Sequence, residues 1–124
     1  MKVLNKLSYE IIGCAYAVYN ELGPGLLEST YELCLGFELQ SRNIHFRKQV
    51  PLPVEYQGNY LEGGYRIDLM VEDKIIIEIK SVEIILPVHK AQLITYLKLS
   101  EKKLGLLINF NVKNLQKGIT RIIN

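Results

Sequence analysis

Ile75-Ile76-Ile77-Glu78-Ile79-Lys80 is the stretch on which the reading of this chain turns. An apolar run broken only by Glu78 has no polar face, which is the pattern of a central strand buried on both sides. Residues two apart in a strand share a face with Cα atoms roughly 6.5–7 Å apart, so Glu78 and Lys80 project together. Two ionisable groups on such a strand are costly to desolvate unless they are paired or wetted. An isolated Glu-x-Lys is ordinarily a salt-bridged or strand-end pair, and the neighbouring sequence decides whether it is more.

Upstream, Tyr65 to Val71 alternates, with Tyr65, Ile67, Leu69 and Val71 on one face and Arg66, Asp68 and Met70 on the other. Glu72-Asp73-Lys74 reads as the turn of a hairpin. A turn centred on Asp73 puts Asp68 directly opposite Glu78, with Cβ atoms about 5 Å apart. A two-residue turn would separate them unless a bulge restored the register. Carboxylates this close repel and push one pKa upward unless a cation lies between them. The natural cation for oxygen ligands is hard and divalent, with Mg²⁺ the commonest choice.

Working outward, Leu4, Leu7, Ile11, Ala15, Val18 and Leu22 recur at helical spacing, and Gly23-Pro24-Gly25 ends that helix. Leu27, Tyr31, Leu35 and Leu39 mark a second helix over Leu27–Ser41. Arg47–Glu55 carries Pro51 and Pro53, which suits an edge or bulged strand. Gln57-Gly58-Asn59 is a turn, and Tyr60-Leu61 begins a short return strand before Gly63-Gly64. Pro87 opens a third helix over Val88–Leu99. Strands follow at Leu104–Phe110 and Gly118–Ile123. The expected order is ααββββαββ, an α/β domain with a mixed sheet over residues 1–124.

Composition bounds the rest. The chain has 124 residues, 48% hydrophobic and 23% charged, with a formal charge of +2. That is globular composition, neither disordered nor so basic as to coat nucleic acid, so a phosphate-binding surface would be a local patch. No apolar run approaches the length of a membrane span, and lysine interrupts the N-terminal residues where a signal peptide would be apolar. Cys14 and Cys34 lie among apolar residues without CxxC spacing, so they read as packing residues. A cytoplasmic protein without membrane contact is expected.

Two helices supply further polar groups. Glu28 lies in the first turn of the second helix, with Tyr31 three residues on. An acid there also complements the helix dipole, which is its bland explanation. Gln92 and Tyr96 are four residues apart on the third helix, with His89 near the same stripe. Singly, Tyr96 reads as core and His89 as surface; together with Asp68, Glu78 and Lys80 they form a set. Arg42, Arg47 and Lys48 make a small basic cluster that reads by default as a solvated loop.

Asp68 followed by Glu78-x-Lys80 on a hydrophobic strand resembles the PD-(D/E)XK nuclease superfamily. Gln92-x-x-x-Tyr96 resembles the QxxxY motif of its RecB-like branch, and Gly25-x-x-Glu28-x-x-Tyr31 resembles the signature of the GxxExxY proteins within it. Ile67 stands where the superfamily's name has proline. The resemblance implies a restriction-endonuclease-like fold and metal-dependent hydrolysis of phosphodiester bonds in nucleic acid, DNA above all. It implies Glu28, Asp68, Glu78 and the Ile79 carbonyl as ligands of Mg²⁺, or of Mn²⁺ in its place. Catalytic roles fall on Glu28, Asp68, Glu78, Lys80 and Gln92, and substrate contacts on Tyr31, His89 and Tyr96. Lys80 would orient or deprotonate the attacking water, or stabilise the phosphate. Two other readings stand beside the nuclease: a non-catalytic nucleic-acid-binding module that keeps the fold, and a chain active only as a homodimer or with a partner protein.

Overall fold

The computed structural model describes residues 1–124. Its elements are α1 (Lys2–Leu22), α2 (Glu28–Ser41), β1 (Phe46–Tyr56), β2 (Asn59–Val71), β3 (Ile75–Lys80), α3 (Pro87–Ser100), β4 (Leu104–Asn109), a short 3-10 turn (Leu115–Gly118) and β5 (Ile119–Ile123). The five strands form one mixed sheet in the order β1-β2-β3-β4-β5, antiparallel except for the parallel pair β3–β4. Parallel neighbours need a crossover, and α3 supplies it. No helix is long and apolar enough to cross a membrane.

Helices cover both faces of the sheet. Ile11, Cys14, Ala15 and Val18 of α1 and Tyr31, Leu35 and Leu39 of α2 pack against Leu69, Val71, Ile75, Ile77, Leu106 and Ile108. On the other face Leu93, Tyr96 and Leu97 of α3 pack against Ile67, Met70, Ile76 and Leu107. Ile75 to Ile79 is therefore buried from both sides, as a run with no polar face requires. Leu93 sits directly over Gly105, where a Cβ would come within 2.9 Å of its side chain. Leu27 leaves the expected apolar stripe of α2: it precedes the helix and is exposed.

Two expectations about β2 are corrected. Tyr60-Leu61 and Tyr65–Val71 are one strand, so the chain has five strands and the order ααβββαββ. The glycine pair does not break the strand. It forms a bulge opposite Pro53, where the register with β1 shifts between Leu52↔Tyr65 and Val54↔Leu61, and Gly64 takes a φ of 79°. β1 lies at the sheet edge, where its prolines cost no ladder bond.

The second correction concerns alternation. Tyr65 and Ile67 pack on the α3 side, whereas Leu69 and Val71 pack on the α1–α2 side. β1 switches in step, with Phe46 on the α1–α2 side and Val50 and Leu52 on the α3 side. The switch falls between the pairs Lys48↔Leu69 and Val50↔Ile67, at Gln49 and Asp68. Gln49 has a φ of 50°, a left-handed conformation that reverses the facing of the residues around it.

Candidate active site

The turn after β2 sets the register of the acidic pair. Glu72 and Asp73 both have positive φ, and the Lys74 N–H donates to the Val71 carbonyl at 2.9 Å. Pairs Val71↔Ile75, Met70↔Ile76 and Leu69↔Ile77 follow, and the same register brings Asp68 to Glu78. There the backbone ladder stops and the carboxylates take its place. The Asp68 N–H donates to Glu78 Oε2 at 2.9 Å, and the Ile79 N–H donates to Asp68 Oδ2 at 2.8 Å. Each acid is thus held by a backbone N–H of the other's strand, which orients both carboxyls.

Burial dominates the electrostatics. Glu78 is 4% exposed, and its carboxyl is pushed up to about 8, first by desolvation and then by the Asp68 charge. The Asp68 N–H and Lys80 act against that shift. Desolvation also raises Asp68, against the Ile79 N–H, Lys80 and Gln49. The chain's ion pairs are Arg47–Asp73 and Lys102–Asp73, so Lys80 reaches both carboxylates through its field without pairing with either. Tyr96, 3% exposed, joins from α3: burial, Glu78 and Asp68 together push its phenol up to about 12.

From the opposite side, α2 brings Glu28 and Glu32 to Asp68. Glu28, Ser29, Glu32, Gln49 and Asp68 line one wholly polar cleft. Glu28 Oε2 accepts from the Ser81 N–H at 3.3 Å, and Ser81 Oγ donates to the Leu26 carbonyl, tying the end of β3 to the start of α2. Glu32 and Gln49 were not among the residues singled out from the sequence. Glu32 lies one helical turn after Glu28 on the same face, a signal the sequence does carry. Desolvation raises its carboxyl, with Asp68 adding to the shift.

Other expected site residues are placed differently. Tyr31, expected to touch substrate, is fully buried: its hydroxyl donates to the Gly23 carbonyl at 2.5 Å, accepts from the Leu26 N–H, and its ring stacks on Phe110 at 4.4 Å. The Gly25…Glu28…Tyr31 spacing thus pins the α1–α2 turn while presenting Glu28. Tyr31→Phe should cost about 1 kcal/mol of stability in urea denaturation, because the part-buried Gly23 carbonyl loses its donor and the Leu26 N–H its acceptor. Wild-type stability in that variant would show that the hydroxyl does not hold the turn.

His89 Nδ1 accepts from the Leu86 N–H at 2.9 Å, and the His89 N–H donates back to the Leu86 carbonyl, which closes the first turn of α3. Gln92 makes no hydrogen bond to Lys80; it lines a groove with Tyr65, Val88, His89, Ala91 and Thr95 beside Tyr96.

The donors fit a hard divalent ion. Asp68, Glu78 and the Ile79 carbonyl all offer oxygen donors, and burial, which raises both carboxyls against the field of Lys80, disfavours the charged forms that a bound cation would restore. No three His, Cys, Asp or Glu side chains converge to hold an ion by themselves. Such a set suits Mg²⁺, which keeps several waters and uses few protein carboxylates.

Over residues 5–122 the chain matches the family model of the PD-(D/E)XK nuclease superfamily, a span that contains both acidic strands and all three helices except the first residues of α1. No curated protein and no solved structure matches it.

Proposed function

Because the chain belongs to the PD-(D/E)XK nuclease superfamily and has a restriction-endonuclease-like α/β fold, we propose that it is a divalent-metal-dependent nuclease acting on DNA. The observation that carries this reading is the exchange of backbone N–H groups between Asp68 and Glu78, which holds the buried Glu78 carboxyl and the half-buried Asp68 carboxyl in one orientation. We read the whole span as one nuclease domain, in the RecB-like branch and with the GxxExxY signature at Gly25, Glu28 and Tyr31.

In this reading Asp68, Glu78 and the Ile79 carbonyl hold Mg²⁺ or Mn²⁺, and Glu28 closes the site from α2. The ion would acidify a bound water and offset charge on the scissile phosphate. Asp68 and Glu78 enter that role preoriented by the N–H groups they accept, so little reorganisation is needed. Lys80, unpaired with either acid, would orient or deprotonate the attacking water or stabilise the phosphate with its positive charge. Tyr96 walls the pair on the α3 side and excludes water there, and Gln92 and His89 face substrate from the neighbouring groove. Metal-assisted phosphodiester hydrolysis can use this combination of oriented oxygen donors with one free cation.

The test is cleavage of single-stranded, duplex and branched DNA, with RNA alongside, in Mg²⁺, Mn²⁺ or chelator. Cleavage of DNA should require the ion and vanish in an Asp68→Ala, Glu78→Ala double variant. Cutting that survives chelation, or Mn²⁺ binding unchanged in the double variant, would overturn the assignment.

A further inference from the structure

We propose that Gln49 is a positioning residue of the acidic site, its side-chain amide bridging Glu32 on α2 to Asp68 on β2 and fixing the Asp68 carboxylate against the helix. The functional consequence rests on the nuclease reading; the bridge itself does not.

Gln49 Nε2 donates to Glu32 Oε1 at 2.8 Å and to Asp68 Oδ1 at 3.4 Å. Asp68 Oδ2 is already held by the Ile79 N–H. With both oxygens engaged from opposite sides, the carboxylate loses its freedom to rotate about its last bond. One donor group thereby ties the edge strand to both the helix and the acidic strand at the site. The Gln49 carbonyl is engaged as well, accepting from Arg66 Nη1 at 3.3 Å.

The backbone gives the independent observation. Gln49 has a φ of 50° inside a strand, in the left-handed region that residues bearing a Cβ avoid. Glycine would fit that conformation without strain. It also lies where β1 and β2 switch faces, directly across from Asp68. A strained residue at that point contributes little to packing, since it is exposed. What it contributes is a donor aimed at two acids.

Gln49→Gly separates positioning from structure, because it removes the amide and relieves the left-handed strain together. This variant should melt at or above the wild-type temperature. Its Mn²⁺ affinity and its kcat should fall about 10–100-fold, the usual cost of losing a group that orients a metal ligand, with KM for DNA little changed. Gln49→Glu, of equal length but unable to donate when ionised, should lose at least as much. In the wild-type chain the Gln49 side-chain amide signal should shift in both Glu32→Ala and Asp68→Ala spectra.

A Gln49→Gly chain that binds Mn²⁺ and cleaves as the wild type does would overturn the proposal. So would melting and Mn²⁺ binding that fall together, because Gln49 would then be only a structural tie. An amide signal unmoved by both acid substitutions would show that the bridge does not form. Should the wild type cut no nucleic acid, the nuclease reading falls while Mn²⁺ affinity and the amide signal still decide the role of Gln49.

Discussion

Lys80→Ala is expected to lose about 10²–10³ in cleavage rate at saturating Mg²⁺ while melting close to the wild type, a loss of roughly 2.7–4 kcal/mol of transition-state stabilisation. The expectation follows from how Lys80 sits. It ends the buried β3 run, half-buried itself, and its field reaches Asp68 and Glu78 without an ion pair to either. An ammonium tied into a salt bridge would be spent on holding the acids. One left free can act on a phosphate or a water.

The contrary role is equally explicit. If Lys80 only offsets the two acids, its removal leaves their repulsion unopposed, stability falls, and added divalent ion restores it. Melting temperature and single-turnover rate, measured on the same preparations with and without Mg²⁺, separate the two. A variant that melts normally and cuts at the wild-type rate would remove Lys80 from the chemistry.

Glu78→Gln is expected to flatten the dependence of stability on pH and to abolish divalent-ion binding. In the folded chain Glu78 holds its proton up to about 8, against an ordinary value of 4.5. A raised carboxyl means that the folded state binds a proton the unfolded chain has already released. The stabilising contribution is therefore full below about pH 4.5 and is lost as the pH climbs to and through 8.

Over that window the wild type should lose on the order of 3–5 kcal/mol from this group alone, while glutamine, neutral throughout, should lose none of it. Glutamine can still accept from the Asp68 N–H, so the variant folds and overtakes the wild type in stability near pH 8. Saturating Mg²⁺ should then close the gap, because only the wild type gains from binding the ion. Wild-type and variant melting curves that run parallel from pH 5 to pH 9 would refute the burial of an ionisable group at this position.

The same raised carboxyl bears on activity. Glu78 must release its proton to accept a cation, so metal affinity should rise with pH toward 8 and binding should expel a proton.

Local pattern carried a good part of this protein into view. The run Ile75–Ile79, four isoleucines broken only by Glu78 and rich in β-branched residues between turn signals, specified a central strand because it has no polar face to turn to water. Glu72-Asp73-Lys74 specified the turn, and a turn fixes register, so Asp68 meeting Glu78 followed from counting. Pro87 marked the start of α3 and the four-residue step from Gln92 brought Tyr96 to the acids. Each inference spans a few residues, over which strand and helix geometry is nearly invariant.

What only the tertiary structure decided lies where segments distant in the chain impose conformations that local pattern does not favour. Alternation through Tyr65–Val71 reads as regular, yet the faces switch at Asp68 because Gln49, nineteen positions earlier, turns left-handed across from it. The Gly63-Gly64 pair reads as a break, yet pairing with the proline-bearing edge strand carries β2 through it as a bulge. Tyr31 reads as a neighbour of Glu28 on the site, yet Phe110 and the Gly23 carbonyl draw it into the core. The sequence alone determined which residues carry charge on a buried strand and in what register. Which donors satisfy those charges depended on packing across the sheet edge and α2, because a hydrogen bond selects its partner by position in space and the sequence records only order along the chain.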